Sequence, residues 1–548
     1  MHNRDKPAGL SFPAQVLASP DTSLSLRPIY FLPAPADLSS FSVDLCIYGG
    51  TSGGVIAAIE GASRGLSVIL LESGGKLGGM TAGGLGMTDV GNKHVIGGLA
   101  RKFYQRVGAR YGVFEEWRFE PHVASEVFEE WLRETNARVF VRQIVESVET
   151  KDTRIVALKT VSGLVVRAKM FIDSSYEGDL MALAGVSFMV GRESNRDYNE
   201  TINGHQIHSQ HQFLDPVDPF VVPGIPASGL LPGIDAGSDF ECGQGDRRMQ
   251  AFNFRMCLTE REDLRMPFPK PEDYRPEWYL LLKRFLATGW DEAFQKFDPI
   301  RNGKTDTNNH GAVSTDFIGM NHGFAHASYA ERELIYQAHV SWQQGLMWTL
   351  ANDPDIPAAI REPMSRWGLC RDEFPESGGW PHALYIRECR RMISDCVMTE
   401  HHCRGVVEAQ DPVGMAAYGM DSHNCRRIVR DGRVVNEGDV QAGGILPYPV
   451  SYRAIVPKPS ECTNLLVPFC LSATHISFGS IRMEPVFMGL SQSAAIAAAI
   501  AIAEGTSVQD VPYAALHTEL ASAGQILEQP EDAEIFIVGE TEAEALAS

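Results

Sequence analysis

The stretch Asp44-Leu45-Cys46-Ile47-Tyr48-Gly49-Gly50-Thr51-Ser52-Gly53-Gly54-Val55-Ile56-Ala57-Ala58, followed by Val68-Ile69-Leu70-Leu71-Glu72, decides the fold. An apolar run of strand length reaches Gly49, where a tight turn is required, and small residues then open a helix. Such a turn aims backbone N–H groups and a helix N-terminus at a diphosphate. Glu72 closes the next strand at the spacing of about 20 residues expected of an acid that accepts hydrogen bonds from a ribose. The unit reads as a dinucleotide cradle formed by Gly49, Gly50, Thr51, Ser52, Gly53, Gly54 and Glu72. It departs from the usual glycine pattern only at its middle position, which is Thr51.

A chain of 548 residues with 44% hydrophobic residues is long enough for two or more interleaved domains. A formal charge of -21 argues against nucleic acid or an anionic membrane surface as partner. The 10 cysteines are scattered without a CxxC pair, which suits free thiols in a reducing compartment and disfavours a zinc ribbon or a redox disulfide. The first residues lack an apolar core of signal-peptide length, and the longest apolar run, Ala494 to Ala503, is too short to span a bilayer. A cytoplasmic protein is expected.

Residues 1–40 carry no period and read as an extended arm on the body or on another subunit, which leaves a homo-oligomer open. After Glu72 comes Ser73-Gly74-Gly75-Lys76-Leu77-Gly78-Gly79-Met80-Thr81-Ala82-Gly83-Gly84, whose glycines make sense where the backbone passes close to a flat ligand or its phosphates. With this second segment the sequence resembles the FAD-dependent oxidoreductases of the glutathione-reductase-like flavoprotein superfamily. That resemblance implies FAD, and places Ser73, Gly78, Gly79, Met80 and Gly84 near it. Helices are expected from Ile96 and from Glu120. Strands are expected at 139–141, 147–149, 155–158, 164–166 and 169–173, forming a meander. The last strand ends in Asp173-Ser174-Ser175-Tyr176-Glu177-Gly178-Asp179, similar to the superfamily's later FAD motif. Asp173, Gly178 and Asp179 are its cofactor candidates, although Asp179 also suits a helix N-terminus.

Residues 186–440, rich in aromatics, histidines and prolines, read as a substrate-binding cap inserted between a first FAD-binding part at 41–185 and a return segment at 441–525, with a tail at 526–548. His205, His208 and His211 read as a polar loop and not as a metal site; no metal is expected. Two Asn-His-Gly triplets place His310 and His322 either in a pocket lining or in satisfied turns. The stretch Leu384 to Met392 reads as a helix with Arg387 and Arg391 on one face, able to clamp an anion or to form salt bridges.

The C-terminal signature runs from Asn464 through His475 and Arg482 to Met483-Glu484-Pro485 and an Ala-rich helix. In relatives of this type that helix points its N-terminus at the flavin, so Met483 and Glu484 join the cofactor set. Arg482 is placed to help, and His475 is the best general acid/base candidate. The whole resembles one branch labelled FAD-dependent oxidoreductase, from residue 43 to about 525. The fold expected is α/β: a Rossmann-like FAD-binding domain with a β-meander and an inserted α+β cap. The activity implied is hydride transfer from a small polar substrate to non-covalent FAD, with electrons passing to oxygen or another acceptor. Fumarate-reductase-like reduction of a double bond, a redox-neutral lyase and a non-catalytic flavin-binding protein are the alternatives.

Overall fold

A computed structural model describes residues 30–237 and 239–529. Most of the expected arm and most of the tail therefore lie outside the described residues. The described end of the arm rests on the body, where the Tyr30 ring stacks on Tyr336 at 4.8 Å.

The quoted stretch folds as read. Strand β1 (Ser40–Tyr48) enters helix α1 (Ser52–Ser63), and β2 (Val68–Leu71) follows. Both strands are apolar and buried where they pair, as a parallel sheet covered on two faces requires. Helices α2 (Gly98–Arg110) and α3 (Pro121–Arg133) come next, the second with proline in its first turn. Then come β3 (Arg138–Phe140), β4 (Val145–Lys151), β5 (Arg154–Thr160) and β6 (Val165–Asp173), and the short helix α4 (Asp179–Leu183). The two strands expected between 164 and 173 are one. Polar Arg167 and Lys169 do not break it, because they lie on its exposed part before the chain is buried from Met170 onward.

The cap contains β7 (Met256–Thr259), β8 (Arg265–Met266), β9 (Phe297–Ile300), β10 (Lys304–Thr307), the long helix α5 (Tyr329–Asn352) and β11 (Gly368–Cys370). The return segment supplies β12 (Leu465–Leu466), α6 (His475–Ile481) and α7 (Glu484–Glu504).

The first sheet runs β3-β2-β1-β6-β5-β4, with β12 added beside β6. Strands β1, β2, β3, β6 and β12 pair in parallel, while β4, β5 and β6 form the antiparallel meander. Its seventh strand thus comes from the far end of the chain. The cap sheet is antiparallel, in the order β9-β10-β7-β11-β8. Helix α7 is the only one among the described residues long and apolar enough to cross a membrane, and 78% of its most apolar window is buried inside the protein.

The segment Leu384 to Met392 is not helical. It runs extended, Tyr385 N donating to Asn253 O at 2.8 Å, and only Arg391-Met392 is strand. Every residue from Ala383 to Met392 is buried. A helix would present one arginine face to solvent; here an extended chain lies between cap and return segment and sends each arginine to a different buried partner.

Candidate functional site: a dinucleotide cradle and the pocket beside it

The carboxyl ends of β1, β2, β6 and β12 converge on the turn at Gly49. Gly49 has φ +100°, and a Cβ there would stand 2.5 Å from Ser175 N. A Cβ on Gly54 would lie 1.8 Å from Gly49 O, so the first turn of α1 packs directly on the strand end. Thr51 explains its departure from glycine: it caps α1, accepting from Gly54 N at 3.1 Å and donating its hydroxyl to Ser174 O at 2.8 Å. Glu72 accepts from Gly50 N at 2.6 Å and from Gly74 N and Ser73 Oγ, and burial raises its pKa against the pull of those donors. Gly78 and Gly79 both have positive φ, and Gly78 N donates to Gly50 O at 2.8 Å, which brings the second glycine segment against the first.

At the mouth of the cradle stands Glu484. It accepts from Ser52 Oγ at 2.5 Å, Thr81 Oγ1 at 2.8 Å and Tyr176 OH at 2.6 Å, and burial pushes its pKa up. Ser52 is the first residue of α1, so a buried carboxyl group already lies beside that helix N-terminus. Met483 is the N-cap of α7, and Met80 N donates to the Tyr176 hydroxyl at 2.9 Å. Ser174 Oγ, beside Gly49, is buried with no partner among the described residues. The glycine turn, the helix start, this orphan hydroxyl and the acid on β2 together fit FAD.

Three expected cofactor residues are occupied by other work. Asp173 accepts from Ser175 N and Oγ and from Met181 N, with burial raising it to about 6, and so shapes the loop into α4. Asp179 is gripped by Arg332 through both nitrogens at 2.6 and 2.8 Å, by Arg390 at 2.7 Å and by Tyr329 OH at 2.8 Å. It ties α4 to the cap. Gly84 abuts Arg255 O of the cap, 2.1 Å from where its Cβ would be.

Between the cradle and the cap lies a narrow pocket of about 10 Å³, walled by Tyr176, Phe469, Phe478 and Phe487 on one side and by Tyr385, Arg387, Glu388 and Arg482 on the other. Arg482 donates to Tyr385 OH at 2.8 Å and pairs with Asp421 at 2.9 Å. Arg387 pairs with Asp316 at 2.9 Å, and its guanidinium lies 4.7 Å from the centre of the Tyr385 ring. His475 opens α6 and is 2% exposed. Its Nδ1 lies 2.7 Å from Glu388 Oε2 and its Nε2 2.9 Å from Ser422 Oγ. Burial would raise Glu388, but His475 and Arg391 hold it below the usual carboxylate value. His423 stands 2.8 Å from Asp316 and 3.5 Å from Asp421.

The structure thus places Arg387 and Arg482 in the wall of one pocket, with His475 hydrogen-bonded to Glu388 of that wall, and leaves the other candidates elsewhere. Arg391 turns away to Glu193 at 2.8 Å and Glu388 at 3.0 Å. His310 pairs with Glu292 at 2.8 Å beside a separate cap cavity. His322 meets Cys425 O at 2.8 Å, and burial lowers it to about 4. His205 pairs with Asp246 while His211 accepts from Gly311 N, so the histidine run is spread over separate partners. Glu120, His122 and Glu373 are close enough together to ligate a metal, but Lys304 Nζ fills that place at 2.7 Å from Glu120 and 2.8 Å from Glu373. Tyr385, Glu388, Asp316, Asp421 and His423 escaped the sequence reading as site residues. Their positions are far apart in the chain, and no spacing in the sequence connects them.

A family model described as FAD dependent oxidoreductase matches residues 44–520. No curated protein matches the chain. Among solved structures, L-amino acid deaminase from Proteus vulgaris is 14% identical, with a TM-score of 0.23, the match covering 30% of this chain and 55% of that one. OxyS anhydrotetracycline hydroxylase from Streptomyces rimosus is 15% identical at a TM-score of 0.23, covering 31% and 41%. L-proline dehydrogenase from P.horikoshii is 18% identical at 0.18, covering 32% and 28%. The chain therefore spans about half the length of these structures or less.

Proposed function

Because the chain belongs to the FAD-dependent oxidoreductase family, we propose that it oxidises a small polar substrate held in the pocket beside the cradle, with non-covalent FAD as the hydride acceptor and oxygen or another acceptor taking the electrons onward. The observation that carries this reading is the position of Glu388. Glu388 lines the pocket, and its carboxylate lies 2.7 Å from His475 Nδ1.

When bound, FAD supplies the acceptor atom, flavin N5. The first turn of α1, with Thr51 and Ser52, would hold the diphosphate, and Glu72 the ribose. Met80, Met483 and Glu484 would lie beside the bound cofactor, Glu484 joined to Ser52 of that turn. Within the pocket, Tyr385, Arg387 and Arg482 orient the substrate. The Glu388 carboxylate accepts the substrate proton, shared along its hydrogen bond with the His475 imidazole, while Ser422 Oγ fixes the ring on its far side. The aromatic wall excludes water from the reacting bond.

Anaerobic mixing of the FAD-loaded protein with substrate should bleach the oxidised flavin. His475→Gln should slow that bleaching by about 100-fold or more while leaving the dissociation constant for FAD unchanged. Unchanged bleaching in the variant would remove His475 from the proton path.

A further inference from the structure

Glu484 is 4% exposed, and three hydroxyls surround its carboxyl: Ser52 Oγ at 2.5 Å, Thr81 Oγ1 at 2.8 Å and Tyr176 OH at 2.6 Å. Ser52 comes from α1, Thr81 from the short helix Gly79–Ala82 and Tyr176 from the loop that follows β6. Tyr104 of α2 is the further ionisable group that feels its charge. Among the described residues no lysine or arginine pairs with it. A fully buried carboxylate ordinarily has such a partner.

The hydroxyl of Ser52 has one hydrogen to give. An ionised Glu484 can only accept, so it claims that hydrogen and adds a third negative charge beside the two of a diphosphate. A protonated Glu484 donates to Ser52 Oγ instead, and the Ser52 hydrogen is then free for a phosphate oxygen. We infer that FAD enters the cradle together with a proton, which Glu484 holds for as long as the cofactor is bound; this rests on the diphosphate lying at the first turn of α1, as read above.

Burial already raises Glu484 against the pull of the three hydroxyls and of Thr81 N. The charges of the cofactor raise it again. FAD thus binds the protonated form more tightly. Its affinity is highest at acid pH, falls as pH rises between the values of Glu484 without and with FAD, and levels off above the second.

The full-length protein, freed of flavin, is titrated calorimetrically with FAD in two buffers of different ionisation enthalpy between about pH 6 and 9. Uptake should approach about one proton per FAD at its maximum, and the dissociation constant should rise by up to about tenfold per pH unit over the same window. Glu72 and Glu177 are also buried acids raised by desolvation, so the proton is assigned by difference. Glu484→Gln, uncharged at every pH, should lose that uptake and bind FAD at the alkaline end about tenfold or more tightly than the wild type. FAD binding without proton uptake in the wild type, or with uptake unchanged in the variant, overturns the inference and leaves the cradle standing. Weaker binding by the variant to the same degree at every pH reduces Glu484 to a packing residue and overturns it as well. Failure of the wild type to bind FAD removes the cradle reading and the inference with it. Should the variant not fold, the carboxyl is read directly: FAD loading should bring up the infrared carbonyl band of a protonated carboxyl, shifted by Ser52→Ala, and a missing or unshifted band overturns the inference.

Discussion

Glu177 and Asp179 are buried on one loop yet titrate in opposite directions. Burial raises Glu177 to about 8, with Asp179 adding to the rise, whereas Arg332 and Arg390 overcome burial and hold Asp179 at about 2. Glu177 is therefore protonated in the folded protein at neutral pH and ionised in the unfolded chain. The folded state binds the extra proton between the ordinary glutamate value and about 8, so stability falls as pH rises across that window and levels off above it. Glu177→Gln should unfold at the same temperature as the wild type near pH 5 and at a higher temperature at pH 8.5. Parallel curves at the two pH values would show that Glu177 is ionised in the fold. At this scale the sequence was informative where chemistry is local. Thr51 and Glu72 sit in the same segment as the turn they serve, so spacing alone placed them. Asp179 looked equally local, but its partners Arg332 and Arg390 lie in the cap, and nothing in the order of residues connects them.

At the scale of elements, α1 and α7 cross at a glycine. A Cβ on Gly53 would stand 2.4 Å from Ser491 Oγ and 2.5 Å from the Phe469 ring, and 2.9 Å from Phe487 O. Gly53→Ala must push α7, and with it Met483 and Glu484, away from the cradle. Gly65 is the control: its φ is +79°, but no atom lies within 4 Å of the added carbon, so Gly65→Ala costs only backbone strain, about 1–2 kcal/mol. Overpacking at Gly53 costs about 1–3 kcal/mol. Both variants should melt at lower temperature, and only Gly53→Ala should also weaken FAD binding, measured by quenching of flavin fluorescence. Equal FAD affinity in the two would separate the crossing from the cradle. Helix α7 was legible from Pro485 and its alanines, and β1 and β2 from apolar runs bounded by glycine. The stretch from Leu384 to Met392 was not. Its arginines fall at helical spacing, but spacing cannot register that both sides of the segment are buried, and this favours an extended chain whose alternate residues face opposite walls.

On the scale of the whole molecule, one domain is closed by two distant parts of the chain, and the cap hangs between them. Strand β12 completes the sheet beside β6, α7 packs on α1, and the Asp179 node fastens α4 to α5. The order of the motifs gave this architecture, because a first glycine turn and a return helix separated by a long aromatic-rich stretch leave little else to build. The fastening was invisible, being made of an acid and two arginines that only the fold brings together. Arg332 is 2% exposed and lies against the rings of Phe324 and Tyr329. Arg332→Met keeps much of that packing and leaves Asp179 buried with Arg390 as its one remaining cation. Breaking such a pair costs about 3–5 kcal/mol. The loss should be local: hydrogen exchange should quicken in α4 and in the first turns of α5 while β1, α1 and β2 keep their protection. Equal loss of protection in the sheet and the cap would mean that the two unfold as one unit, with the Asp179 node one contact among many; loss confined to α4 and α5 would identify it as the joint about which the cap is held over the pocket.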